Sequence, residues 1–225
     1  MKKASSLFAR IYLGRFSLLL VSIILTFALE PFLEGLVRLN ILTDIFLSVI
    51  LLSAIHTVSE KRSTFFIGLA LALPCLILKW SDYLIDSPLS WNLADVFGAL
   101  FIAYVLISIW SYIARQQEVT TEVITAAVCG YLLLGFMWAF IYFFLECAQP
   151  GSFQIAQHGA SDQNCFIYFS FVTLTTLGYG DIIPLSNAGR SLAILEAVMG
   201  QLYLTVTIAR LVGAYLSQKQ EKQGA

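Results

Sequence analysis

The stretch TLTTLGYGD, residues 173–181, places threonine hydroxyls, two glycines, a tyrosine and a carboxylate in one unbroken row, within a chain that is 59% hydrophobic and 12% charged. No general base stands beside a nucleophile here, and no histidine or cysteine supplies metal-ligand spacing. The chemistry on offer is that of the backbone. Glycines at every second position, Gly178 and Gly180, permit angles that other residues resist, so that successive carbonyls can face one direction. Four copies around an axis would turn such a row of carbonyls into stacked rings.

The elements that must position this row follow from hydropathy. A mean hydropathy of +0.82 lies far outside the range of soluble domains and marks a membrane protein. Apolar runs at 11–33, 39–58, 64–80, 91–114, 122–147 and 188–217 are each close to the roughly 20 residues that cross a bilayer. The expected fold is all-α, with six transmembrane helices and little chain left for a soluble domain. Between the last two spans lies a polar loop, 148–164, and then the apolar segment 165–176, too short to cross and therefore read as a re-entrant half-helix. Asp162 or Asn164 is placed to cap its N-terminus. Its C-terminal end, with a partial negative charge, points into the membrane and favours a cation. The non-helical backbone that follows is tolerated at that depth only if it is buried in protein or lines a watery path.

Basic residues set the orientation. Lys2, Lys3, Arg10, Arg15, Lys61, Arg62, Arg115, Lys219 and Lys222 fall on one side of a six-span chain, which predicts a multi-pass protein of the cell membrane with both termini cytoplasmic. Acidic residues such as Glu30, Asp86, Glu146 and Asp181 fall on the other. No signal-peptide cleavage pattern, nucleotide loop, nucleophile elbow or basic nucleic-acid patch is present, so neither an enzyme, a cofactor nor a nucleic-acid partner is expected.

The segment TTLGYGD, 175–181, resembles the selectivity-filter signature of potassium channels, with Leu177 where valine is commoner. That resemblance extends over residues 122–217 and implies an outer helix, pore helix, filter and inner helix. By it, the carbonyls of Thr176, Leu177, Gly178 and Tyr179, with the Thr176 hydroxyl, coordinate K⁺, and Gly180 completes the filter. Leu177 alters no backbone oxygen. Thr175 and Asp181 support the filter, and Tyr168 stands where these channels carry an aromatic donor to the aspartate. Gly200 falls at the position of a gating-hinge glycine, although close helix packing explains a glycine there equally well. Gln201, Leu204, Thr205 and Ile208 are implied to line the cavity below the filter. Glu196, an ionisable residue within a membrane helix, either braces the pore helix from behind or is a protonated carboxyl bonded to backbone. One filter per chain implies a homotetramer in the lipid bilayer, with K⁺ as the transported ion.

The domain organisation expected is a cytoplasmic N-terminus (1–10), a four-helix transmembrane domain (11–114), a pore domain (115–217) and a cytoplasmic tail (218–225). Voltage sensing requires several charges in the field, and the run 91–110 holds no arginine or lysine. Pro74 can kink the third span, a common feature of membrane helices that says little about function. His56 and Glu60, one turn apart, form either a pH-sensitive pair or a solvated helix end. Cys147 and Cys165 bracket the outer loop as a disulfide or as two thiols. Two other functions were weighed against a conducting channel: a non-conducting subunit that keeps the pore fold for assembly or regulation, and a K⁺ transporter subunit with degenerate filters.

Overall fold

A computed structural model describes residues 14, 16–33, 39–58, 62–81, 88–155 and 163–224. Among them are α1 (Ser17–Leu33), α2 (Leu39–Val58), α3 (Arg62–Ser81), α4 (Pro88–Arg115) and α5 (Thr121–Ala148), then strand β1 (Phe153–Ile155), the short helix α6 (Gln163–Leu174), strand β2 (Ile182–Pro184) and the long α7 (Asn187–Gly224). Each apolar run read as a span contains a helix, α1 occupying 17–33 of the run 11–33. The half-length run is a helix of 12 residues, about 18 Å long, too short to cross a hydrocarbon core of about 30 Å.

Four stretches among the described residues are long and apolar enough to cross a membrane: Thr64–Ser81, Val96–Arg115, Thr121–Ala148 and Asn187–Gln220. The protein is a multi-pass membrane protein on that ground. Pro74 lies inside α3, which runs unbroken from Arg62 to Ser81. A proline removes one backbone donor from a membrane helix, and the helix continues past it. The polar loop of 148–164 departs from expectation, because Phe153–Ile155 pairs antiparallel with Ile182–Pro184 in the register Phe153↔Pro184, Gln154↔Ile183 and Ile155↔Ile182. Burial of Phe153 and Ile182 explains why this short ribbon forms in a segment whose composition reads as loop. Asp162 and Glu60, with the side chains of Asp44, His56 and Asp95, lie outside the described residues.

The described residues gather into two compact units. One comprises the chain up to Ala70, Val105–Leu132 and the chain from Thr207. Within it α1 packs on α2, and the hydroxyls of Ser22 and Thr26 are satisfied by carbonyls of their own helix, Leu19 and Ser22. Phe16 stacks on Tyr112 at 5.0 Å, and its carbonyl faces the Cys129 thiol. Arg210 donates from Nε to the Ile113 carbonyl at 3.2 Å and from its terminal nitrogen to Ala114. Those carbonyls belong to the last turn of α4, where helix geometry leaves acceptors without partners and a cation is favoured.

The second unit comprises Leu71–Tyr104 and Leu133–Val206. Its core is aromatic. Tyr142 lies 4.9 Å from Phe169 and 5.5 Å from Phe153, ring centre to ring centre, and Phe153 lies 5.2 Å from Phe166, all edge-on. Edge-to-face pairs of this kind each contribute roughly 0.5–1.5 kcal/mol beyond the area they bury. They fix α6 against α5 and β1, which is the support the filter row needs.

Candidate functional site

The filter row begins where α6 ends. Thr175 donates its amide to the Phe171 carbonyl, Thr176 to Thr173, and Leu177 and Gly178 both to Val172 at 2.9 and 3.2 Å. Each of these N–H groups is therefore turned back toward the helix end. Backbone φ is +60° at Thr176, +58° at Gly178 and +79° at Gly180, and it is not positive at Leu177 or Tyr179. Alternation in the sign of φ brings successive carbonyls to one side of the chain and successive amides to the other. The amides of Thr176, Leu177 and Gly178 are bonded back to α6, which leaves the opposite side of the chain for carbonyls. A methyl added at Gly178 or Gly180 would meet nothing within 4 Å, so backbone angle, not space, is what requires glycine there. Thr176 adopts the same region with a β-branched side chain, at a cost of about 1–2 kcal/mol that its surrounding hydrogen bonds offset.

Outside the filter a second set of bonds holds its exit. Tyr168 Oη donates to Asp181 Oδ2 at 2.7 Å, and the other carboxylate oxygen accepts from the Ile182 amide at 3.1 Å. The hydrogen bond to Asp181, with lesser contributions from desolvation and from the nearby charges of Asp181 and Tyr179, pushes the Tyr168 hydroxyl up to about 12. Ile182 opens β2, so Asp181 ties α6 directly to the ribbon. At the far edge, Glu146 at the end of α5 accepts from the Gly151 and Phe153 amides at 2.8 and 3.0 Å. The Ser152 carbonyl accepts from Leu185 and Ser186, and Ser186 Oγ caps α7 by accepting from the Gly189 amide at 3.0 Å. Among the described residues, the chain between α5 and α7 is thus tied by side-chain and backbone bonds at the end of α5, along the ribbon and at the start of α7.

Behind the pore helix sits Glu196. It is 0% exposed, and no described basic residue pairs with it. Tyr142 Oη meets its Oε2 at 2.6 Å, Ser170 Oγ meets its Oε1 at 2.5 Å, and Ser170 Oγ also lies 2.7 Å from the Gly135 carbonyl. One carboxyl thus joins α5, α6 and α7. Near it, a methyl at Gly135 would stand 2.6 Å from the Phe171 ring, and one at Gly200 would stand 2.8 Å from both the side chain and the carbonyl of Leu174. Small residues let these backbones approach. Gly200 makes this close contact within a helix that runs unbroken through it.

Of the residues implied to line a cavity, Gln201, Thr205 and Ile208 are exposed on α7 and Leu204 is half-buried. Thr205 Oγ1 donates to the Gln201 carbonyl at 2.8 Å, and Thr175 Oγ1 to Phe171 at 2.7 Å, so both hydroxyls are engaged by their own helices. Thr176, Leu177, Tyr179 and Asp181 are exposed along the row. Cys147 and Cys165 are thiols, not a disulfide. The structure adds Tyr142 and Ser170, which the sequence did not single out, and gives Glu146, read there only as one of the acidic residues on one membrane side, a role in holding the loop after α5. Tyr142 and Ser170 are hydroxyls within the aromatic runs FIYFF and YFSF, and only their convergence on Glu196, 54 and 26 positions away, gives them a role.

Residues 119–217 match the family described as "Ion channel". A calcium-gated potassium channel, TvoK, of Thermoplasma volcanium is 44% identical over 59 residues, 26% of this chain and 17% of that protein. Two-pore potassium channel 1 of Arabidopsis thaliana is 40% identical over 68 residues, 30% of this chain and 18% of its own length. Protein LctB of Geobacillus stearothermophilus is 35% identical over 88 residues, 37% of this chain and 63% of that protein. The matched stretch therefore spans less than a fifth of the first two relatives. No solved structure matches.

Proposed function

We propose that the chain, whose residues 119–217 match the ion-channel family and parts of which are similar to potassium channels, is itself a potassium channel, four copies of which assemble in the cell membrane into a passive, K⁺-selective pore. In this reading all six long helices span the bilayer, both termini are cytoplasmic, and the filter opens outward. Four filter rows close into rings of carbonyls from Thr176, Leu177, Gly178 and Tyr179, which replace the water shell of an entering K⁺. The observation that carries the proposal is the alternating φ of Thr176, Gly178 and Gly180, with the amides of Thr176, Leu177 and Gly178 bonded back to α6. An ordinary turn between hydrophobic segments has no need of that alternation over five residues.

Assembly is supported by the inner helix. Ile194, Leu195, Val198, Leu202 and Val206 of α7 are all exposed, a stripe of large apolar side chains suited to lipid or to neighbouring copies. Gating in this channel does not rest on a conventional voltage sensor, because the basic residue of α4, Arg115, stands in its last turn. The test is purified protein in liposomes loaded with K⁺ or Na⁺. Tetramers by cross-linking, together with uptake of tracer into K⁺-loaded but not Na⁺-loaded vesicles, is the expected result. Folded, tetrameric protein that passes neither ion would leave the non-conducting subunit in its place.

A further inference from the structure

Four polar groups behind the pore helix make three short oxygen-to-oxygen contacts: Tyr142 with Glu196 at 2.6 Å, Glu196 with Ser170 at 2.5 Å, and Ser170 with the Gly135 carbonyl at 2.7 Å. Each contact needs a proton between its oxygens. Tyr142 supplies one and Ser170 supplies one, while a carbonyl supplies none. If Glu196 were a carboxylate, two protons would serve three contacts, and one pair of oxygens would face each other bare. Sharing one serine proton between two acceptors lengthens both arms, yet both arms here are short. A third proton on Glu196 satisfies every contact.

We propose that Glu196 is held as a neutral carboxylic acid that accepts from Tyr142 and donates to Ser170, which in turn donates to Gly135, and that this one-way chain positions the pore helix under the filter. Its surroundings agree with a neutral group. Tyr142 is the titratable residue that faces it, and around Tyr142 stand the rings of Trp138, Phe153 and Phe169. Burial of an unpaired carboxylate in such a place is far costlier than burial of a hydrogen-bonded acid. The consequence for the filter is direct. Ser170 lies two residues before Val172, whose carbonyl accepts the Leu177 and Gly178 amides. The end of α6 to which the filter is bonded is thereby referenced to both α5 and α7. Glu196 is a positioning residue in this account, which rests on the proposed channel activity only for its effect on selectivity.

Glu196→Gln distinguishes the two protonation states, because an amide accepts from Tyr142 and donates to Ser170 as the neutral acid does. The infrared difference spectrum of the parent minus Glu196→Gln, at neutral pH, is expected to contain a protonated-carboxyl stretch that shifts on exchange into heavy water. Glu196→Gln should retain the thermal stability and the K⁺ over Na⁺ permeability ratio of the parent. Ser170→Ala, which breaks the chain at its middle, should lower that ratio several-fold in the tetramers that form. A difference spectrum showing only carboxylate bands, or a Glu196→Gln protein as unstable as Glu196→Ala, overturns the proposal. The spectrum and the melting curve are read whether or not the protein conducts, so failure of the channel reading is separately visible.

Discussion

Two tyrosine-to-carboxyl bonds bear on α6, one made by its own Tyr168 and one, between α5 and α7, reaching it through Ser170, and they differ chiefly in setting. Tyr168 meets Asp181 at 2.7 Å at the outer mouth, where Tyr168 is 40% exposed. Tyr142 meets Glu196 at 2.6 Å in the aromatic core, where both are buried. A bond open to water exchanges one partner for another at small net gain, while a buried bond that loses a partner leaves an unsatisfied group. The outer pair is therefore suited to tuning a filter already folded, and the inner pair to folding it.

The largest effect expected from that contrast is at Glu196→Ala. Tyr142 and Ser170 would each lose a buried partner, at about 1–3 kcal/mol apiece, and the mutant should show a clear loss of tetramer in detergent and a lowered melting temperature. Asp181→Asn should leave both near the parent. If the two variants are equally destabilised, the distinction between buried and exposed bond is wrong. Next in size is Gly200→Ala, whose methyl would press on the Leu174 side chain and carbonyl at 2.8 Å. Overpacking of this kind costs roughly 1–3 kcal/mol, and because Leu174 ends α6 the K⁺ over Na⁺ ratio should fall along with stability. A hinge role for Gly200 predicts the opposite pattern, lower open probability with selectivity intact.

Smaller still is Tyr168→Phe, which removes only the outer hydroxyl. It should change the rate at which the filter inactivates while tetramer yield stays unchanged; inactivation indistinguishable from the parent in both Tyr168→Phe and Asp181→Asn would remove the outer brace. The least effect is expected from external alkali. A tyrosine whose hydroxyl is raised in the folded state keeps its donated bond in full below its ordinary value of about 10, and loses it only as pH climbs through about 12. Inactivation should therefore not change through this pair as external pH rises from about 7 to about 9.

The same contrast explains what the sequence could and could not convey. The outer pair is legible because Asp181 abuts the filter and Tyr168 lies 13 positions before it, within one motif. Helical spans are legible because a bilayer demands about 20 apolar residues whatever they pack on. Glu196 stood out as an ionisable residue in an apolar helix, but its partners are side chains 54 and 26 positions away in runs rich in aromatic residues. No local pattern distinguishes Tyr142 from other membrane tyrosines. The ribbon of β1 and β2 escaped for the same reason: three-residue strands carry too little periodicity, and their pairing depends on burial of Phe153 and Ile182.

The proposed function requires carbonyls that face away from α6 and take the place of water around one size of ion. The most direct measurement is the reversal potential of reconstituted channels in a planar bilayer with K⁺ on one side and Na⁺ on the other. A reversal far toward the K⁺ equilibrium potential, abolished when Gly178→Ala forces an L-residue into the left-handed position, is the predicted result. A reversal near zero, with currents of equal size for both ions, would contradict it.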